Sequence, residues 1–279
     1  MSSPACRFTS PPATPLVVHV PHASAEIPPS ARSALLPDDA ALARELDRVT
    51  DHAADRLLAP PDGGTTVRFP VSRLVVDPAW GGHEAAISHG AHHFGRVHLE
   101  TTDGEPLRAT PSREELELML ELHARPHHRR LLAAVHAALH AHGVALVVDG
   151  RTFPARPGAW HGAVSHDGPT PDVCLGTDPF HTPPRLLEAA VARFEDAGWT
   201  VGIDRPFAGT VVPAGLHRRD ARVRSLAISV NRRRCLDEAT GEIGPGFEPV
   251  RTMLEGILRT LTAVAMNAPS GRSTSMMTA

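Results

Sequence analysis

The chain has 279 residues, 42% of them hydrophobic, and a formal net charge of -3, with arginine supplying all of its Lys and Arg. That length suits one α/β domain with short tails, and the balanced charge excludes a general nucleic-acid or membrane-surface binder. No apolar run approaches the ~18 residues of a spanning helix.

Residues 1–15 carry neither a basic lead nor an apolar core, so no signal peptide is expected and a cytoplasmic protein is. Cys6, Cys174 and Cys235 are odd in number and lack CxxC spacing, which predicts reduced thiols rather than a disulfide framework or a zinc knuckle. Residues 1–12 and 267–279 are polar and are expected to be disordered tails around a domain over 13–266.

Leu16-Val17-Val18-His19-Val20 reads as a strand that Pro21 ends, leaving His22 just beyond it. In an α/β sheet that is where ligands gather, so His22 is taken as the hub of a site. A helix is predicted from Asp38 to Leu58, with Asp51 on it, stopped by Pro60-Pro61 and Gly63-Gly64. Thr65–Val71 and Leu74–Asp77 read as a bent strand or strand pair. The Gly- and His-rich stretch 80–108 predicts loops with a small hairpin turning at Asp103-Gly104.

Pro111–Leu122 predicts a helix with an acidic start, broken or kinked near Pro126. A second helix is expected over His127–His142, ending at Gly143, with His128 on its apolar stripe beside Leu132, Val135 and Leu139. Val144–Val148 predicts a strand leading out to Asp149-Gly150-Arg151-Thr152, and 154–171 a loop. A strand over Asp172–Gly176, a helix over Pro183–Ala197, strands over Thr200–Asp204 and Ser225–Val230, and a last helix over Pro245–Val264 complete the pattern. Such alternation predicts a three-layer αβα sandwich around a mainly parallel or mixed sheet.

Polar groups mark four predicted strand ends: His22, Ser72-Arg73 with Asp77, Asp149 with Arg151, and Ser229 to Arg232. His22 and Asp51 are of the types that zinc takes, imidazole nitrogen and carboxylate oxygen. The chain has 18 histidines, most of which must be surface or packing residues, so one histidine alone decides little.

The order of motifs resembles the N-formylglutamate amidohydrolases, zinc-dependent hydrolases with a zinc-carboxypeptidase-like, phosphorylase/hydrolase-like fold. The matching pieces are His19-Val20-Pro21-His22-Ala23-Ser24 with Ile27-Pro28, Thr50-Asp51, and Val71-Ser72-Arg73-Leu74-Val75-Val76-Asp77. Arg125-Pro126-His127-His128, Asp149-Gly150-Arg151-Thr152-Phe153-Pro154 and 171–178 follow. Arg205-Pro206-Phe207-Ala208-Gly209-Thr210 and Ser229-Val230-Asn231-Arg232 close the series.

The resemblance implies water attack on the formamide of N-formyl-L-glutamate, or of another N-acyl amino acid, by a zinc-dependent route, with a small acidic molecule as the partner. By position, His22 and Asp51 would be metal ligands. Arg73, Asn231 and Arg232 would bind substrate, with Asp77 orienting Arg73, and His128 would polarise the amide or bind substrate.

Two departures fall on central positions. Arg151 stands where the family pattern has a histidine ligand, and Ser229 where it has the glutamate expected to act as base. His127 and Cys235 replace tyrosines. A guanidinium has only donors and cannot ligate zinc, although it can stabilise an oxyanion. Ser229 has no useful basicity without a partner. His123, His127 or His128 as a substitute ligand, and Asp149 or Glu26 as a substitute base, are the available rescues. The alternative is a metal-free relative that binds a small acidic or acylated ligand without hydrolysing it.

Overall fold

A computed structural model describes residues 11–79, 93–94, 97–157, 169–238 and 240–267. The expected tails therefore lie, apart from residues 11, 12 and 267, outside the described residues, as does Cys6. Cys174 and Cys235 are free and buried. Among the described residues no helix is long and apolar enough to cross a membrane.

The sheet is built from β1 (Leu16–Val20), β2 (Thr65–Arg68), β5 (Ala145–Phe153), β6 (Val173–Gly176), β7 (Val201–Ile203) and β8 (Val223–Asn231) in the order β2-β1-β5-β8-β6-β7. β2, β1, β5 and β8 are mutually parallel, β6 runs antiparallel to β8, and β7 is parallel to β6. The expected mixed α/β sheet is thus present. A separate two-stranded hairpin of β3 (His93–Phe94) and β4 (Val97–His98) precedes a turn over 101–105.

Strand side chains alternate with period two, and the sheet separates them cleanly. Leu16, Val18, Val20, Leu146, Val148, Leu226, Ile228 and Val230 face helices α3 (Ala54–Leu57), α6 (Pro184–Asp196) and α7 (Phe247–Asn267). Val17, Val147 and Val223 face helix α5 (Arg125–His142) through Leu131, Val135 and Ala138. On α7, Phe247, Leu254, Ile257, Leu258 and Leu261 are buried, each contributing about 1.5–3 kcal/mol relative to exposure. Two apolar faces on one sheet make the three layers. Gly150 is needed inside β5, because a Cβ there would lie 2.7 Å from Leu58 Cδ1.

Four expectations change. α2 covers only Asp39–Val49, capped by Asp38, and Asp51 lies in the break before α3 rather than on a helix. Ser72–Asp77 forms a bonded turn and no strand. β5 runs through Phe153, so Asp149 and Arg151 stand within the strand rather than beyond it. Pro126 does not break the chain's helical course. After α4 (Arg113–Met119), with a Ser112–Glu115 capping box, a π-helical turn at Leu120–Ala124 leads directly into α5.

Candidate active site

The alternation that buries Val17 and Val147 against α5 sends His19, Asp149, Arg151 and Ser229 to the same face. His19 is register partner to Asp149, and Arg151 to Ser229. A polar row therefore crosses three parallel strands under the start of α5. His127 reaches down to it: its Nε2 lies 2.8 Å from His19 Nε2, and His19 Nδ1 lies 2.8 Å from Asp149 Oδ1. Asp149 Oδ2 accepts from Arg151 Nε at 3.0 Å and Nη2 at 2.7 Å.

Ionised Asp149 can only accept, so His19 donates from Nδ1 and, in its neutral form, accepts at Nε2 from His127. That leaves His127 Nδ1 a buried acceptor, which has no hydrogen-bond partner. Burial, followed by the charge of His19, pushes the His127 imidazole down to about 2. Burial would raise Asp149, but Arg151 and His19 outweigh it and hold the carboxyl below the usual range. Burial likewise acts to lower Arg151, and Asp149 reverses that, with smaller contributions from Asp77 and Asp51.

A second cluster sits at the end of β1. The Asp51 backbone N–H donates to the His22 carbonyl at 2.9 Å, tying the break after α2 to the strand end. His22 Nε2 is 2.9 Å from Asp77 Oδ1, and Arg73 Nη2 donates to Asp77 Oδ2 at 2.7 Å. Leu74 packs into one satellite core and Val75 and Val76 into another, which fixes the turn carrying Arg73 and Asp77. Arg108, buried, donates to the Leu74 and Val75 carbonyls beneath it, and burial lowers its pKa to about 10.

Burial opposes charge on Asp77, yet Arg73 and His22 hold its carboxyl well below the usual carboxylate range. His22 is pushed down by burial, with Arg73 adding to the effect and Asp77 opposing it. Its neutral ring donates from Nε2 to Asp77, so Nδ1 keeps a lone pair. That nitrogen faces Asp51 Oδ2 at 3.8 Å, too far for a hydrogen bond. Asp51 Oδ2 is buried with no hydrogen-bond partner.

The expected site residues separate by what they touch. His22, Asp51, Asp77, Arg73 and Arg151 form one electrostatically linked group. Arg232 serves the protein itself: Nε donates to Thr152, Nη1 to the Arg48 carbonyl and Nη2 to Asp51 Oδ1 at 3.1 Å. Asn231 donates to the Pro171 carbonyl and accepts from the Arg233 N–H. Ser229 is buried between Arg151 and Cys174 in the ladder.

His128 is only half-buried and sits 2.8 Å from the Pro78 carbonyl, beside an apolar cavity of about 170 Å³ lined by Leu131, Leu132, Val211 and Val212. The helix stripe that meets the sheet runs through His127 instead. Glu26 is exposed. His19 was the residue the motif reading left without a role. Its signal was phase, since it shares the face of Val17 in an otherwise apolar strand.

Zinc needs about three protein ligands. Among the described residues, no group of three or more His, Cys, Asp or Glu side chains could hold a metal ion. His22 Nδ1 and Asp51 Oδ2 are two suitable donors, and the position that the resemblance implies for a third ligand carries the Arg151 cation. The described residues do not fit a zinc centre.

The fold is similar to that of the N-formylglutamate amidohydrolase from Ralstonia eutropha, with a TM-score of 0.76 at 21% identity, covering 91% of this chain and 95% of that one. A gene product of Agrobacterium tumefaciens is similar with a TM-score of 0.61 at 19% identity, over 91% of each chain. No curated protein matches the chain. The family model for N-formylglutamate amidohydrolase matches residues 14–236, most of the chain, and the protein therefore belongs to the N-formylglutamate amidohydrolase family.

Proposed function

We propose that this family member uses the polar group around His22, Asp51, Arg73 and Arg151 to bind a small carboxylate-bearing amino-acid derivative without metal-dependent hydrolysis. The observation that carries the reading is Arg151, held on Asp149 by two nitrogens. Its side chain is 29% exposed, and no hydrogen bond from Nη1 is present among the described residues. It is a fixed guanidinium with a free edge, suited to a carboxylate or a developing oxyanion. Arg73, paired with Asp77, adds positive charge around His22, while Arg232 positions Asp51 rather than touching the ligand.

Among the described residues on this face, proton transfer has no evident agent. Ser229 lacks a basic partner, and Asp149 is committed to Arg151 and His19 with its pKa depressed. A general base typically contributes ~10²–10⁴-fold, so its loss alone would leave slow turnover. The family's metal-dependent amide hydrolysis is the second reading, favoured by the His22 Nδ1 and Asp51 Oδ2 pair, which matches two zinc ligands.

The two readings separate in one experiment. Protein treated with EDTA is titrated with glutarate by calorimetry, and formate release from N-formyl-L-glutamate is followed with and without added zinc. Binding without formate release is expected. Formate release that depends on stoichiometric zinc would overturn the proposal in favour of hydrolysis.

A further inference from the structure

The group around His22 is balanced in charge. Asp149 pairs with Arg151 at 2.7 Å, Asp77 with Arg73 at 2.7 Å and Asp51 with Arg232 at 3.1 Å. Among the described residues every carboxylate there has its own guanidinium, and all three Asp side chains are buried. A divalent cation entering such a group would leave its whole charge uncompensated in a poorly solvated place, which is costly. A ligand whose positive group comes with its own carboxylate would not.

The unmet hydrogen-bonding capacity has the opposite sign at its two ends. At one end His22 Nδ1 and Asp51 Oδ2, both acceptors, face each other across 3.8 Å. Asp51 is 4% exposed at its side chain and this oxygen has no partner. A buried acceptor left unsatisfied costs about 1–3 kcal/mol, so the gap calls for a donor carrying at least two hydrogens. At the other end the Arg151 guanidinium, the partly open member of the group, offers donors for an anion.

Resting on the reading of a carboxylate-binding site, we infer that its ligand is a zwitterionic amino acid. Its free ammonium sits between His22 Nδ1 and Asp51 Oδ2, and its carboxylate meets Arg151. An ammonium has three donors and no acceptor, which matches the two facing acceptors. An N-acylated amide nitrogen has a single hydrogen and no charge, and satisfies only one of them. The site is therefore one for a free amino acid in preference to its N-formyl derivative.

Calorimetry on the full chain in EDTA tests this with L-glutamate, N-formyl-L-glutamate and glutarate. L-Glutamate is expected to bind at least tenfold more tightly than either. Asp51→Asn is expected to remove that advantage. Equal or tighter binding of N-formyl-L-glutamate or glutarate overturns the inference and leaves the carboxylate site standing. Binding of none of the three overturns both. If the Asp51→Asn protein does not fold, the three-ligand comparison on the unaltered chain decides. Zinc chloride that binds stoichiometrically without EDTA and abolishes glutamate binding would assign the gap to a metal and overturn the inference.

Discussion

Arg151 on β5 and Ser229 on β8 are direct neighbours in a parallel ladder, with both side chains on the face that meets α5. Two of the positions at which the motif order implies a departure from the family's pattern thus occupy one spot. Relative to the histidine and glutamate that the resemblance implies there, arginine and serine make that spot more positive by two charges. The substitutions are coupled by place and by charge.

That coupling predicts how metal affinity would return. Arg151→His combined with Ser229→Glu should bind zinc, read by metal analysis after dialysis, at least ~10-fold more tightly than either single variant. A double variant no better than the singles would show that the two positions do not share a site.

Asp149 holds Arg151 and receives His19. Asp149→Asn leaves the guanidinium with a neutral partner in a mostly buried setting, and removing one member of such a pair costs about 3–5 kcal/mol. Partial exposure of Arg151 places the expected loss at the lower end, about 3 kcal/mol, measured by urea denaturation. A loss below ~1 kcal/mol would mean that solvent already screens the pair.

Gly150 separates Asp149 from Arg151 and presents a bare Cα to Leu58. Gly150→Ala puts a methyl 2.7 Å from Leu58 Cδ1, inside a fully buried cluster. Overpacking of this kind costs about 1–3 kcal/mol. Leu58→Ala in the same protein should relieve the clash, so a double-mutant cycle should give a favourable coupling.

His127 predicts a pH dependence. Its native pKa is held at about 2, against 6.5 for the free side chain. As pH falls below 6.5 the unfolded chain takes up a proton that the folded chain refuses, so folding stability drops by about 1.4 kcal/mol per pH unit. This continues until pH approaches the depressed native pKa, where the slope vanishes. His22, His123 and His181 are also depressed and add their own slopes, so the difference between proteins is the readout. Between pH 6.5 and about 5, above the range in which Asp77 and Asp149 begin to contribute, His127→Gln should flatten the stability curve by about one proton's slope. An unchanged slope would show that His127 is accessible to protons in the native state.

Local pattern carried the alternation of strands and helices, the strand that ends at Pro21, and the capped helices. Their physics is short-range: β-branched runs, Pro and Gly punctuation, and apolar periodicity. The motif order also identified His22, Arg73, Asp77 and Arg151 as members of one region. Where local signals were ambiguous, tertiary contacts decided. Asp51 looked helical because Leu42, Leu46 and Val49 keep helical phase, yet its backbone N–H bonds the His22 carbonyl and the helix stops. Leu74–Asp77 looked like a strand, but its apolar residues are claimed by two satellite cores.

The composition and order of residues by themselves determined an α/β fold and marked arginines and aspartates as members of one polar region. Only the tertiary structure decided which of them meet. His19 lies 108 residues from His127 and 130 from Asp149, separations over which no periodicity can speak. Parallel register joins the second pair, and the buried stripe of α5, running through His127, Leu131 and Val135, sets His127 rather than His128 against the sheet. The same register put Arg151 against Ser229, and with it a balanced set of ion pairs where a metal would need an excess of negative charge.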